Sequence, residues 1–192
     1  MATKYTKRQL QIIHSAVELI ASKGMSHLTM NHIASQIEVT EPALYRHFKS
    51  KKEILQGVLN LIAQIDLTSQ EIEKTGLGLI ECIMQKRISS FANTPALAAI
   101  IFSEEIFSGD NDLSQRIKLL MQETQQKIIH IIQLSQTEGS IRTDMQPEQI
   151  ALLIIGSFRF LVTQWHLLEN DFDLQERATT LFQDFRLLFR VE

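Results

Sequence analysis

Apolar residues recur along most of the chain at the spacing of an amphipathic helix. The first such stretch carries its apolar stripe at Ile12, Ile13, Ala16, Val17, Leu19 and Ile20. Thr6 and Gln9 before it have the spacing of a capping box, and Gly24 after it is a stop signal. The pattern therefore predicts a first helix from about Lys7 to Lys23.

Two short helices are predicted next, separated by only two residues. Thr29 caps the first, whose apolar stripe ends near residue 37. Thr40 caps the second, which is predicted from Glu41 to Phe48 and places Leu44 and Phe48 on one buried face. Because a longer helix precedes and can brace this pair, the three together predict a helix-turn-helix, which is a known reader of DNA.

The rest of the chain continues the helical pattern. A capping box formed by Ser50 and Glu53 opens a fourth helix whose apolar residues reach Ile65. Further helices are predicted at Leu77–Ala92, Pro95–Phe107, Leu113–Thr137, Pro147–Glu169 and Leu174–Arg190. The fold class predicted is all-α, with about nine helices and no convincing strand.

Charge divides the chain into a basic head and an acidic body. Residues 1–52 contain eight basic and three acidic residues, a net charge of +5, whereas the remainder has a net charge of −8. We therefore expect a DNA-binding domain at residues 1–52 and a larger helical domain at 53–192, with the fourth helix connecting them from about residue 51. A basic module of this kind indicates a polyanionic partner.

Several classes of protein are disfavoured by the sequence. The polar, basic start has no apolar core of a secretory signal, and the apolar run at 150–158 is cut by Arg159, so no membrane span is expected. The single cysteine, Cys82, fits a cytoplasmic protein. No nucleotide loop, hydrolase elbow or zinc-protease motif is found, so neither an enzyme nor a cofactor is expected. His14, His27 and His32 lack metal-ligand spacing, so no metal is expected.

The second short helix presents side chains that suit a DNA groove once Leu44 and Phe48 face inward. Arg46 and His47 can donate to base edges or phosphates, and hydroxyl groups suit phosphate oxygens. The candidate DNA-binding residues are Thr29, Thr40, Glu41, Ala43, Tyr45, Arg46, His47, Lys51 and Lys52. The last two combine positive side chains with the free backbone N–H groups of a helix start, which is a phosphate site.

These residues also resemble a known family. The stretch Leu28–Ala34, followed by Val39–Leu55 with its Leu-Tyr-x-His-Phe-x-x-Lys core, is similar to the TetR family of transcriptional regulators. The resemblance implies DNA-backbone contacts at Thr29, Thr40, Tyr45, His47 and Lys51, and operator-dependent positions at Glu41, Ala43 and Arg46. Many members carry Gly-Thr where this chain has Pro42-Ala43, so the operator half-site cannot be inherited from relatives.

The larger domain has aromatic and Met side chains on long helices. Candidate ligand-binding residues are Met84, Phe91, Phe102, Phe107, Met121, Phe158, Gln164 and Trp165. From sequence alone, ordinary core packing is favoured over a ligand role for each of the apolar ones. The resemblance implies that the body as a whole encloses an effector pocket.

The last two helices, at about 147–169 and 174–190, have apolar faces too wide for one domain, including Phe182, Phe185, Leu188 and Phe189. Burial against a second copy would cover them, and the resemblance implies the same homodimer. With the resemblance, the function expected is a homodimeric regulator that binds an inverted-repeat operator and is released by a small, apolar or amphipathic ligand. That it acts as a repressor is implied by the resemblance alone. The alternatives are a DNA-binding regulator without a small-molecule effector and a helical protein that binds nucleic acid non-specifically.

Overall fold

The computed structural model describes residues 5–67, 75–102 and 110–191. Within these ranges every regular element is helical, which confirms the all-α class. The nine α-helices described there are α1 (Lys7–Lys23), α2 (Met30–Gln36), α3 (Glu41–Tyr45), α4 (Lys51–Leu67), α5 (Gly76–Asn93), α6 (Pro95–Phe102), α7 (Asn111–Thr137), α8 (Pro147–Leu167) and α9 (Leu174–Phe189). A short 3₁₀ turn, Met25–His27, separates α1 from α2.

Helix α1 begins and ends at the predicted residues because both of its caps form. The Thr6 hydroxyl accepts the Gln9 N–H at 3.2 Å, and the Gln9 side chain accepts the Thr6 N–H at 3.0 Å. At the other end Gly24 has φ +81°, a conformation that glycine adopts at little cost. The reciprocal cap therefore satisfies two of the N–H groups that a helix start leaves without partners.

Two predictions about α3 and α4 need correction. Helix α3 ends at Tyr45 and not at Phe48, because the N–H groups of both His47 and Phe48 bond the Leu44 carbonyl, at 2.9 and 3.2 Å, in a closing turn. The capping box before α4 also forms only in part. The Ser50 hydroxyl accepts the Glu53 N–H at 3.3 Å, but the Glu53 carboxylate accepts the N–H of Lys49, at 2.6 Å, and not that of Ser50.

Helix ends in the second half of the chain differ from the prediction by a few residues. Helix α7 begins at Asn111, two residues early, because the Asp110 carboxylate accepts the N–H groups of Asp112 and Leu113 at 3.0 and 3.1 Å. Helix α8 ends at Leu167, two residues early, because Glu169 takes a left-handed backbone conformation. Helix α6 is described as far as residue 102, and the predicted continuation to Phe107 lies outside the described residues.

Contacts group the chain into two compact units. The first comprises residues 1–63 and 95–117. Its core is formed by the fully buried stripe of α1 around Ile12 and Ile13, and α1 packs against α2 and α6. Gly57 of α4 allows a close approach here, because a Cβ atom at this position would lie 2.8 Å from Ile13 Cδ1. The change in charge along the sequence suggests a domain boundary after residue 52. The contacts between buried residues instead place the start of α4, and residues 95–117, in the first unit.

The second unit comprises residues 64–94 and 118–192. Helix α9 packs against both α5 and α8, and its phenylalanines form the centre of the core. Phe182 lies 5.2 Å from Phe158 and 5.9 Å from Phe185 between ring centroids. Phe182, Phe185 and Phe189 are therefore buried within one chain and are not available to a second copy. The exposed apolar residues of α9 are Leu187 and Leu188.

Helix α8 is long and apolar enough to cross a membrane by length and composition alone. The uninterrupted apolar run at residues 150–158 is shorter than this helix, because Arg159 lies within the longer apolar stretch. In the structure Ile150, Ile154 and Phe158 are buried against neighbouring helices of the same unit. One face of α8 therefore packs in the core of a folded domain, and 39% of the apolar stretch is buried.

Candidate nucleic-acid interface

The two short helices α2 and α3 are held together by an apolar layer beneath the surface. On α2 the layer contains Ile33, which is fully buried, and Met30. On the segment of α3 it contains Leu44, which is fully buried, and Phe48, which is 4% exposed. These four side chains fix the orientation of α3 and leave its other positions to face away from the core.

The turn between the two helices has a specific backbone geometry. Glu38 follows the end of α2 with φ +55°, in the left-handed region. The Val39 N–H bonds the Ala34 carbonyl at 2.9 Å, and the Glu38 N–H bonds the Ser35 carbonyl at 3.3 Å. This pair of bonds is a Schellman motif, which usually has glycine at the left-handed position. The motif ends α2 and directs the chain into α3 within two residues.

The predicted reading residues of α3 and the turn after it are at the surface. Tyr45 is 46% exposed, and Thr40, Arg46 and His47 are also exposed. Glu41 and Ala43 are half-buried. Tyr45 and His47 are thus not packed into the core of the three-helix unit. Their polar groups are free to approach a nucleic acid from solvent.

Thr29 and the nearby histidines are arranged at the start of α2. The Thr29 hydroxyl accepts the His32 N–H at 3.1 Å, so its own proton remains available to donate. Nδ1 of His32 lies 2.7 Å from the His27 carbonyl oxygen, an arrangement that requires a proton on this nitrogen. The two imidazole rings stack at 6.3 Å between centroids. Across the described ranges, no three His, Cys, Asp or Glu side chains form a group that could hold a metal.

The two lysines at the start of α4 have different surroundings. Lys51 is exposed in the first turn of α4. Lys52 Nζ instead lies 3.1 Å from an oxygen of Asp110 and 2.5 Å from one of Asp112. These hydrogen bonds, first that to Asp112 and then that to Asp110, raise the pKa of Lys52 above 10.5. The ammonium predicted to bind phosphate is therefore shared by two carboxylates.

Sequence reasoning missed both acidic partners of Lys52 and one further contact. Asp110 and Asp112 follow Lys52 by about sixty residues, so no local spacing could place them beside it. The one feature of the sequence that could have located this contact is Asp110 itself, because aspartate is a preferred N-cap residue and so marks the start of a helix. The other missed contact joins α1 to the turn after α3, where Nε2 of Gln9 donates to the His47 carbonyl at 3.4 Å.

The candidate ligand residues differ in their exposure. Met84, Phe91, Phe158 and Trp165 are buried. The indole N–H of Trp165 donates to the Phe172 carbonyl at 3.0 Å, which is a structural bond. Met121 is 53% exposed on α7, and Gln164 is half-buried at an open groove between α8 and α9. The Phe102 side chain and Phe107 lie outside the described part of the chain. A ligand role for these residues stays a prediction.

The sequence matches two family models that together span most of the chain. Residues 12–58 match the model of bacterial regulatory proteins, tetR family, and residues 60–188 match the model of the YsiA-like protein, C-terminal region. The chain belongs to the TetR family of transcriptional regulators. It is therefore a DNA-binding regulator, and the first match covers the head described above.

Other TetR-family regulators resemble the chain over nearly its whole length. A probable acrEF/envCD operon repressor of Escherichia coli is 24% identical, covering 95% of this chain and 87% of the relative. The ketosteroid transcriptional regulator KstR2 of Mycobacterium tuberculosis has a TM-score of 0.78 at 16% identity, covering 100% of this chain and 99% of KstR2. The regulator FadR of Bacillus subtilis, in complex with stearoyl-CoA, has a TM-score of 0.75 at 23% identity, covering 92% and 96%. At these identities the structural likeness shows the fold alone.

Proposed function

We propose that this regulator is a homodimeric, cytoplasmic repressor with no enzymatic activity. It binds an inverted-repeat operator through the exposed residues of α2, α3 and the start of α4. It leaves the operator when a small apolar or amphipathic ligand binds to the second unit. Each part of this proposal has its own support and its own test.

The observation that carries the DNA-reading part is the contrast in burial along one short segment. Leu44 and Phe48 are buried, whereas Tyr45 and His47 between them are exposed. An aromatic side chain that is half exposed beside exposed Arg46 forms a polar and positively charged surface. Such a surface suits phosphate oxygens and base edges.

The other proposed contacts with DNA are of two kinds, those to phosphates, which position the protein, and those to base edges, which read the sequence. The hydroxyl groups of Thr29 and Thr40 and the ammonium of Lys51 are assigned to phosphates, because they are exposed at the starts of three successive helices. Glu41, Ala43 and Arg46 are assigned to base edges. Ala43 offers only a methyl group, which suits the apolar edge of thymine.

Selection from a randomised duplex library by the purified protein at physiological salt tests the operator. Enrichment of one inverted repeat, with half-sites about one helical turn or a multiple of it apart, is expected. Uniform recovery of all sequences would instead support non-specific nucleic-acid binding, for which only a salt-dependent affinity is expected.

Variants of the reading residues then test the assignment. Tyr45→Ala and His47→Ala are expected to abolish binding to the selected operator without changing the oligomeric state. His130→Ala is the matched control, because His130 is an exposed histidine of α7 in the other unit. Operator binding by both head variants at the parental affinity would show that α3 is not the reading helix.

The homodimer is supported by exposed apolar residues on α8 and α9. Leu152 and Phe160 of α8 are 65% and 67% exposed, and Leu187 of α9 is 64% exposed. A groove between these helices is lined by Phe160, Leu161 and Leu181. Large apolar surfaces of this kind mark contact with another protein surface, and a two-fold axis brings the same patch of two copies together.

Sedimentation of the purified protein tests this interface. Phe160→Glu places a charge at the centre of the patch and is expected to give monomers. Leu119→Glu is the matched control, because Leu119 is 48% exposed on α7 and outside the patch. A dimer that survives Phe160→Glu, or dissociates equally with Leu119→Glu, would contradict the assignment.

The ligand part is supported by the stearoyl-CoA complex of FadR, whose fold this chain shares. A ligand that favours the conformation unable to bind DNA lowers operator affinity by its difference in affinity for the two states. Titration of operator-bound protein with acyl-CoA esters of increasing chain length tests this. Release of DNA by one chain-length range is expected. No release by any ester would favour a regulator without this class of effector.

A further inference from the structure

The strongest feature that the DNA-reading site does not use is the contact between Lys52 and the start of α7. We propose that Asp110 and Asp112 act as an internal competitor of DNA, holding the Lys52 ammonium that would otherwise bind a phosphate. Together these three residues form an acidic clasp. The clasp lowers the affinity of the head for DNA and reduces by one the number of phosphates it neutralises.

In the clasp, two carboxylates take up two of the three N–H donors of the Lys52 ammonium. Lys52 Nζ is 3.1 Å from Oδ2 of Asp110 and 2.5 Å from Oδ2 of Asp112. Two carboxylates beside one ammonium leave an excess of one negative charge at the spot. A phosphate that approaches Lys52 therefore meets net repulsion until the clasp opens.

The acidic side of the clasp is held in place by the fold. Oδ1 of Asp110 accepts the N–H groups of Asp112 and Leu113, so this carboxylate also caps α7. Leu113, the next residue along, is 2% exposed and anchors the start of α7 in the core of the first unit. The backbone N–H of Leu113, and then Lys52, hold the pKa of Asp110 below 3.8, so the carboxylate is charged at neutral pH.

The position of the clasp relates it to DNA binding. Lys52 follows Lys51, the exposed lysine assigned to phosphate, at the first turn of α4. This helix start would attract a phosphate through its N–H groups. The side chains of Lys52 and Asp110 are 39% and 32% exposed, so the ion pair is open to solvent and can exchange one anionic partner for another.

The clasp makes a quantitative prediction for salt dependence. Asp110→Asn together with Asp112→Asn removes both charges, and asparagine at 110 still caps α7. With Lys52 released to a phosphate, the slope of log affinity against log salt should become steeper by about 0.9. The ratio of variant to parental affinity should then rise about 3.5-fold when the salt concentration falls from 200 to 50 mM.

The experiment measures binding of full-length protein to a fixed 30-base-pair duplex over this salt range, in four proteins. These are the parent, the double variant, Lys52→Gln, and Lys52→Gln with both aspartate substitutions. The double variant is expected to bind more tightly with the steeper slope. The same substitutions in the Lys52→Gln background should leave the slope unchanged, because no ammonium is released. Asp144→Asn is the matched control, since Asp144 pairs with Arg142 in the other unit.

Two results would overturn the proposal. Weaker DNA binding by the double variant, with its melting temperature preserved, would show that the ion pair positions α4 for DNA and does not compete with it. A slope that steepens equally with and without Lys52 would show that the carboxylates act by general repulsion alone. Both outcomes are distinct from a failure of the dimer or of the ligand response, because any duplex serves as the probe.

Discussion

Replacing Glu38 by glycine is expected to stabilise the protein, which is opposite to the usual effect of introducing glycine. Glu38 has φ +55° at the end of α2, in a motif closed by the bond from the Val39 N–H to the Ala34 carbonyl. In this conformation the Cβ atom of an L-residue crowds the backbone. Glycine lacks that atom, so the same turn forms without the steric cost.

The magnitude follows from two opposing contributions. A residue with a side chain loses about 1–2 kcal/mol in the left-handed region. Glycine costs about 0.4–1 kcal/mol in return, because it increases the conformational entropy of the unfolded chain. The difference lies between about 0 and 1.6 kcal/mol, so the free energy of unfolding should rise by about 0.8 kcal/mol for Glu38→Gly. The melting temperature should then rise by about 2–3 °C for a chain of this size.

Urea denaturation at fixed protein concentration measures this change, with two matched variants. Glu38→Ala removes the charge but keeps the Cβ atom, so no comparable gain is expected. Glu169→Gly should reproduce the gain, because Glu169 has φ +53° in the corresponding turn after α8. Destabilisation by Glu38→Gly, or an equal gain from Glu38→Ala, would refute the backbone explanation.

Three further outcomes are expected from the structure. Leu44→Ala should lower the free energy of unfolding by about 2–5 kcal/mol, because Leu44 is fully buried beneath the reading helix. Gly76→Ala should destabilise by about 1 kcal/mol or more, since Gly76 has φ +58° and a Cβ would lie 3.3 Å from two serine hydroxyls. The hydrogen bond from the Arg142 guanidinium holds the pKa of Asp144 below 3.8. The stability contributed by this ion pair is therefore complete above pH 3.8 and is lost as the pH falls through the lower folded-state pKa. Urea titrations of the parent and Asp144→Asn should accordingly converge as the pH is lowered below 3.8.

Local sequence signals were sufficient where a cap and an apolar stripe coincide. The bounds of α1 were predicted at both ends because Thr6, Gln9 and Gly24 each act on neighbouring backbone groups. The start of α8 was predicted without a side-chain cap, since Pro147 fits the first turn of a helix. Such interactions span four residues or fewer, so they can be inferred without knowledge of the tertiary structure.

Two turns were not predicted because they place glutamate in a backbone conformation that this residue rarely adopts. Glutamate is not expected in the left-handed region, so Glu38 and Glu169 gave no sign of the turns they form. The role of the apolar residues in the second unit was ambiguous for a different reason. Phe158 would be buried whether it lined a ligand site or packed in the core, and its contacts with Phe182 and Phe185 are those of a core residue.

The net charge near the DNA-reading surface depends on which residues the fold brings together, although DNA remains the expected partner. Residues 1–52 have a net charge of +5, but the compact unit that contains them, residues 1–63 with 95–117, has nine basic and eight acidic residues. Its net charge is therefore only +1. A nearly neutral unit attracts DNA weakly at long range, so its affinity must depend on where the charges lie. Lys51 and Arg46 are exposed on the reading surface. Lys52 is instead paired with Asp110 and Asp112, which belong to the segment 95–117 of the same unit. Local pairing of this kind, rather than net charge, then determines how many phosphates the head can neutralise.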